Sequence, residues 1–379
     1  MIVTQPPERA QQTMNRDSKL RAGEWVEVRS KEEILKTLDQ RGQLESLPFM
    51  PEMFQYCGQR FKVFKRAHKT CDPPNGMQGR RMLDAVHLEG LRCDGQAHGG
   101  CEAGCLIFWK EAWLRRVSAD AQSGAGSGTG HSPAALGPVD SQGCTMEEVL
   151  AGTRAPGEPM NSANPTFVCQ STHLAYATQP LRWWDPRQYA EDLVSGNVRL
   201  SQMTAAFLFF IYHNLATAGL GFGSAMRWAY DRFQKLRGGT PYPWRWGKVR
   251  PGMRTPSAKL DLRPGETVRV KDYQDILETL DEESKNRGMY FDGEAVPFCN
   301  GTFRVLKRVE KIIDEKTGRM LKLKNDAIIL DGVACQARYA KCRRFCPRSI
   351  YPYWREIWLE RASESAHSSA TQGSDPPSS

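Results

Sequence analysis

The chain has 379 residues, 40% of them hydrophobic and 25% charged, with a formal net charge of +9. That composition excludes a disordered or fibrous chain and leaves length for two or three globular units, each able to bury a core. The polar opening "MIVTQPPERAQQTMNRDSK" has no apolar stretch of the kind that directs secretion. The expected compartment is therefore the reducing cytoplasm, where eleven cysteines point to metal ligation or thiol chemistry before disulfides.

Residues 1–20 read as a disordered N-terminus, and residues 21–117 as the first of two related copies. "GEWVEVRSKEEILKTLD" at 23–39 returns as "GETVRVKDYQDILETLD" at 265–281, and the offset of 242 holds without a gap to Cys93 and Cys335. Over those 71 aligned positions 24 are identical. Beyond Cys93 the copies slip by one residue and then by more, yet "WKEAWL" (109–114) still answers "WREIWL" (354–359). A repeat of this length predicts that each copy is one folding unit.

Within a copy, "WVEV" and "TVRV" alternate apolar and polar residues as a half-buried strand does. Ser30 with Glu33 forms a capping-box pattern and Asp272 is an equivalent N-cap, each opening a short helix with the stripe Ile34, Leu35, Leu38 or Ile276, Leu277, Leu280. "FKVFKR" and "FRVLKR" predict a second strand, "DPPNG" and "DEKTG" place Gly76 and Gly318 in matched turns, and "AVHLEGL" and "AIILDGV" predict a further strand. The fold class expected is α+β: two β-rich units resembling a partly open SH3-like barrel, each with one inserted helix.

Between the copies, residues 118–165 are rich in Gly, Ser, Ala and Pro and read as a flexible linker. Residues 166–263 read as a helical connector, apolar and then basic. Asp185-Pro186 marks a helix start within "PLRWWDPRQYAEDLVSGNVRL", whose acidic residues Asp185, Glu191 and Asp192 are expected on a solvated face. Residues 200–226 carry no charge, but His213, Asn214 and several glycines interrupt them. A membrane crossing would also put two matched cysteine clusters in different redox environments. A buried helix between the units, or one lying at a membrane surface, is expected instead. The second copy spans 264–361, and the polar tail 362–379 reads as disordered.

Eight cysteines occupy equivalent places in the copies: Cys57 with Cys299, Cys93 with Cys335, Cys101 with Cys342, and Cys105 with Cys346. Four thiols per copy match the ligand count of a tetrahedral zinc site, so two structural zinc sites are expected, with iron–sulfur ligation as the alternative. His98 has no counterpart and offers a replacement ligand in the first site. The competing reading makes these cysteines buried hydrophobes, disulfide partners or a catalytic thiol. Cys71, Cys144 and Cys169 fall outside the pattern, and Cys169-x3-His173 is too short a motif to define a nucleophile and base. His68 and His87 are expected to have ordinary polar partners.

No phosphate-binding loop, nucleophile elbow, zinc-protease or dinucleotide motif is present. The function expected is therefore non-catalytic: a metal-stabilised tandem repeat that binds a protein partner. The first alternative is an enzyme, or enzyme subunit, with its cleft between the copies. The second rests on residues 227–263, which hold ten Lys or Arg against two Asp, interleaved with Trp, Tyr and Phe. That stretch suits an anionic partner, nucleic acid or membrane headgroups.

Overall fold

A computed structural model of the protein describes residues 19–117, 143–340 and 342–362. Of the segments expected to be disordered at 1–20 and 362–379 and the linker expected at 118–165, residues 1–18, 363–379 and 118–142 lie outside the described residues. The architecture is α+β, with several small antiparallel sheets and few helices.

The largest sheet orders its strands as Trp109–Lys110, Ala85–Leu88, Arg60–Arg66, Trp25–Val28 and Leu114–Arg116. The second orders Ile328–Leu330, Thr302–Arg308, Thr267–Val270 and Leu359–Arg361. Val26 pairs with Phe61 in the first and Val268 with Phe303 in the second, and a register shift falls at Val63/Lys65 and at Val305/Lys307. Both sheets are open, and no closed barrel forms among the described residues.

Alternation in "WVEV" sends Val26 and Val28 into a core, as "TVRV" sends Val268 and Val270 into another. Helix α1 (Lys31–Leu35) begins at Ser30 with the full capping box to Glu33, and contributes the buried Ile34. Phe49 meets Trp113 edge-on at 5.0 Å in the first core, and Phe291 meets Trp358 likewise at 5.1 Å in the second. Each fully buried aliphatic or aromatic side chain contributes about 1.5–3 kcal/mol, so these two clusters hold most of the favourable burial.

The segments cross over each other at two hairpins. In one, Lys69–Asp72 pairs with Gln78–Arg81; in the other, Lys311–Ile313 pairs with Met320–Lys322. The second hairpin covers the first cysteine loop: Glu102 N–H donates to the Lys311 carbonyl at 3.0 Å, and its carboxylate accepts the N–H groups of Glu310 and Lys311. The first hairpin covers the second loop, where Arg348 donates to the Cys71 carbonyl at 3.1 Å and Arg343 reaches Met77 Sδ at 3.3 Å. A Cβ on Gly79 would lie 3.0 Å from the Cys342 carbonyl oxygen, so a larger residue there would press on this contact.

Within the stretch read as linker, α2 (Met146–Ala151) starts at a Thr145–Glu148 capping box and packs Val149 into the first core. Helix α3 (Pro186–Val194) is capped by Asp185, as the sequence implies. Its acidic residues are not all solvated. Asp192 is fully buried against Lys69 at 2.5 Å, and Glu191 meets Arg66 at 3.3 Å. Two cations of the first segment, themselves buried, draw this helix face inward. The apolar stretch divides into α4 (Leu200–Thr217) and the start of α5 (Gly223–Arg237). Helix α4 buries Met203, Ala206, Phe209 and Ala216 but exposes its opposite side, so it is half-buried. No helix among the described residues is long and apolar enough to cross a membrane. After α5 the chain runs along the second core, with Tyr242 fully buried and the N–H groups of Lys248 and Val249 bonded to the Leu277 and Leu280 carbonyls. Trp246 stays exposed. Helix α6 (Tyr273–Leu277) is N-capped by Asp272 and follows strand Thr267–Val270.

Candidate metal centre

Three side chains from two elements meet beside the first core. Glu52 comes from the short 3-10 helix Pro51–Tyr56, Cys93 from the loop after strand Ala85–Leu88, and His98 from a single 3-10 turn at Gln96–His98. That turn is framed by Gly95 and Gly99, both at positive φ. A Cβ on Gly95 would sit 2.0 Å from the Cys101 carbonyl oxygen, so only glycine lets the loop fold back so tightly. The loop is closed at its base by Cys93 N–H donating to the Cys105 carbonyl at 2.8 Å.

Among the described residues, Glu52, Cys93 and His98 form the one group of three or more Cys, His, Asp or Glu side chains whose ligand atoms all lie within 4.8 Å of one another. Cys93 Sγ is 3.0 Å and His98 Nδ1 3.1 Å from the same carboxylate oxygen, Glu52 Oε1. Glu52 Oε2 is buried without a hydrogen-bond partner. The other ring nitrogen, His98 Nε2, lies 3.0 Å from the Val168 carbonyl. With Nε2–H on Val168, a neutral imidazole has Nδ1 as an acceptor, open to a cation, whereas an imidazolium donates from both nitrogens. Burial pushes the Glu52 carboxyl up, but its hydrogen bond to His98, the His98 charge and the Cys93 thiol outweigh it and leave it below its usual range. Burial and then the Glu52 charge push the Cys93 thiol far above its ordinary value.

Next to the triad lies a cavity of about 40 Å³ whose polar lining includes Cys93, His98, Cys101, Cys105, Cys169 and Glu315. The Ile313 N–H points at Cys101 Sγ at 3.3 Å, and Ser171 Oγ donates to Cys105 Sγ at 3.5 Å. Burial raises the Cys169 thiol to about 12. Its spacing to His173 is that of a backbone turn, with His173 N–H on the Cys169 carbonyl.

Of the nine predicted ligands, then, Cys93 and His98 join Glu52, while Cys101 and Cys105 line the adjoining cavity. Cys57 ends the 3-10 helix and packs half-buried on the first core, outside the triad. Cys299 does the same on the second core. Cys335 and Cys346 cluster with Cys71 from the first segment, and Cys342 is exposed. All eleven cysteines are free thiols, with no disulfide between them.

The second loop handles its carboxylate differently. Glu294 stands 242 residues after Glu52, and its carboxylate accepts backbone N–H groups of Arg338, Tyr339 and Ala340 at 2.8, 2.6 and 3.1 Å. No histidine takes part. Nearby, burial raises Cys346, but the Cys71 thiol donating to it, the Arg348 N–H and the Arg348 and Lys69 charges outweigh that and hold it well below an ordinary thiol.

Sequence reasoning missed Glu52, Cys169 and Cys71. The identity of Glu52 and Glu294 at the repeat offset was the available signal, since a carboxylate kept in both copies beside an apolar run is seldom a surface residue. Cys169 and Cys71 join their clusters only through the folding of the connector and the crossing of the hairpins. His68 lies 3.2 Å from the Gln188 carbonyl and 3.3 Å from Asp192; His87 bonds the Ile107 carbonyl through Nδ1 at 2.8 Å, leaving Nε2 unpartnered. The chain matches no protein-family model, and no curated protein matches it in sequence.

Proposed function

We propose that the protein is a non-catalytic, metal-stabilised accessory or binding protein, made of an internally duplicated β-rich unit and holding zinc at Glu52, Cys93 and His98. The observation that carries this reading is the triad itself, with one carboxylate oxygen unpartnered and the imidazole's far nitrogen on a backbone carbonyl. Thiolate, imidazole and carboxylate are the donors zinc takes, and a ligating histidine ordinarily donates its other N–H to a carbonyl or carboxylate. Bound there, the metal would tie the 3-10 helix to the cysteine loop and, through Val168, to the connector.

The repeat offset kept by strand pairings, caps and aromatic contacts supports the duplication, each copy being an incompletely closed SH3-like unit. The Glu294 arrangement supports one metal site where the sequence suggested two, because backbone donors there replace the cation. Free thiols throughout suit a reducing compartment.

Elemental analysis of purified protein tests the proposal. Zinc at one equivalent per chain is expected, lost in Cys93→Ser and His98→Ala and kept in Cys335→Ser. A wild-type protein that takes up no stoichiometric zinc when refolded with the metal, or a Cys93→Ser protein that keeps it, would overturn it. A visible iron–sulfur absorption band would do the same.

A further inference from the structure

The paired helices α4 and α5 present a surface that the metal centre does not use. On α4, Leu200, Leu208, Ile211 and Leu215 share one side by helical periodicity, opposite the buried Met203, Ala206 and Phe209. Leu208 and Ile211 are 62% and 55% exposed. The turn that follows adds exposed Leu220 and Phe222. Helix α5 has no buried residue and rests on α4 through Tyr230, whose ring meets Phe209 at 5.8 Å and Tyr212 at 5.5 Å. Trp228, Arg232 and Leu236 follow one another at four-residue intervals on its outer side, and Leu236 is 83% exposed. Isolated exposed leucines need no explanation, but exposed apolar side chains that recur along both helices and the turn between them mark an interaction surface.

Charge selects the partner. Residues 200–237 contain Arg227, Arg232, Lys235 and Arg237 against a single acid, Asp231. Asp231 is already engaged by Arg245 and by the Tyr242 N–H at 2.8 Å. A second copy docking here would bring like charges together. Residues 118–142, outside the described residues, supply only Leu136 and Val139 as large aliphatic side chains to cover the patch. Nucleic acid would find leucine and isoleucine where stacking or hydrogen bonding is needed. An anionic bilayer satisfies both features at once: aliphatic side chains and Trp228 enter the acyl boundary while Arg and Lys meet the headgroups.

We infer that the α4–α5 hairpin is a membrane-surface anchor that lies in the plane of a bilayer rich in anionic lipid. Neither helix needs to cross, and neither has the length and hydropathy to do so. Peripheral attachment keeps both cysteine loops on one side of the membrane.

Co-sedimentation of the full chain with vesicles tests this. Binding is expected to vesicles of mixed phosphatidylglycerol and phosphatidylcholine, weaken in high salt, and be small with phosphatidylcholine alone. Ile211→Glu/Leu215→Glu should reduce partitioning at least about tenfold, because two apolar side chains leave the acyl boundary. Arg232→Glu/Lys235→Glu should reduce it only in the presence of anionic lipid, by about fivefold for each cation lost. Unchanged circular dichroism and melting show that either variant is folded; if the first pair unfolds the chain, the charge pair, on exposed positions, decides alone. No binding to either vesicle overturns the inference. So does binding to a single-stranded oligonucleotide that persists in Ile211→Glu/Leu215→Glu, or wild-type dimerisation in light scattering that this variant abolishes.

Discussion

Trp358 donates its indole N–H to Thr279 Oγ1 at 2.9 Å, and Trp113 makes the same bond to Thr37 Oγ1 at 3.1 Å. In both places the turn just past a short helix is fastened to the 3-10 turn that leads into the sheet's edge strand. The Trp358–Thr279 bond is buried and the Trp113–Thr37 bond only partly. Thr279→Val keeps the side-chain shape but strands a buried indole N–H, and should cost about 1–3 kcal/mol in urea unfolding. Thr37→Val should cost less, because Thr37 itself is partly exposed where Thr279 is buried. Adding Trp358→Phe to Thr279→Val should cost less than the sum of the two single changes, since the stranded donor is gone.

The connector is held by ions that cannot be removed singly. Asp192 is fully buried; its Oδ2 takes Lys69 Nζ at 2.5 Å, while Oδ1 lies 3.3 Å from His68 Nε2 without a hydrogen bond. Asp192→Ala would leave a buried ammonium without its counter-charge, at a cost of about 3–5 kcal/mol in chemical denaturation. Lys69→Met with Asp192→Leu removes both charges and should recover most of that loss.

His87 predicts an acid limb. Burial holds it down to about 3, from an ordinary 6.5, against the Ile107 hydrogen bond and with help from the Arg348, Arg92 and Lys65 charges. The folded form keeps the ring neutral while the unfolded chain takes a proton. Its contribution to stability is therefore present above pH 6.5 and lost as pH falls toward 3, at about 1.4 kcal/mol per pH unit. The second segment has Ile329 at the equivalent position. His87→Ile should flatten the fall in stability between pH 6 and 4 measured by urea titration, leaving the neutral-pH value less affected.

The two buried glutamates should separate in function. Glu294→Ala removes the acceptor for three backbone N–H groups and should destabilise the protein by about 2–5 kcal/mol, with zinc content unchanged. Glu52→Ala should lower zinc affinity instead, and its destabilisation should shrink when metal is withheld from both proteins by a chelator. Equal zinc content in the two variants would count against the asymmetry.

Much of this fold was readable in advance because its elements have local causes. Alternating "WVEV", the Ser30–Glu33 box, the Asp185-Pro186 start and the positive-φ turns at Gly76 and Gly318 each specify their own geometry. The cysteine clusters were less legible because partners come from afar. Grouping Cys57 with Cys93, Cys101 and Cys105 supposed that each copy closes its own site, whereas Cys169 and Cys71 arrive from outside the copy they serve. Asp192 was assigned to solvent because nothing near it in sequence shows Lys69 waiting beneath the helix. Glu52 was passed over because its neighbours announce a short helix, not a ligand.

The reciprocal hairpins carry an architectural consequence. Cys71 leaves one half to sit among Cys335 and Cys346 of the other, and Ile313 returns the gesture at Cys101. Each hairpin therefore ties the unfolding of one segment to the uncovering of the other's cysteine loop.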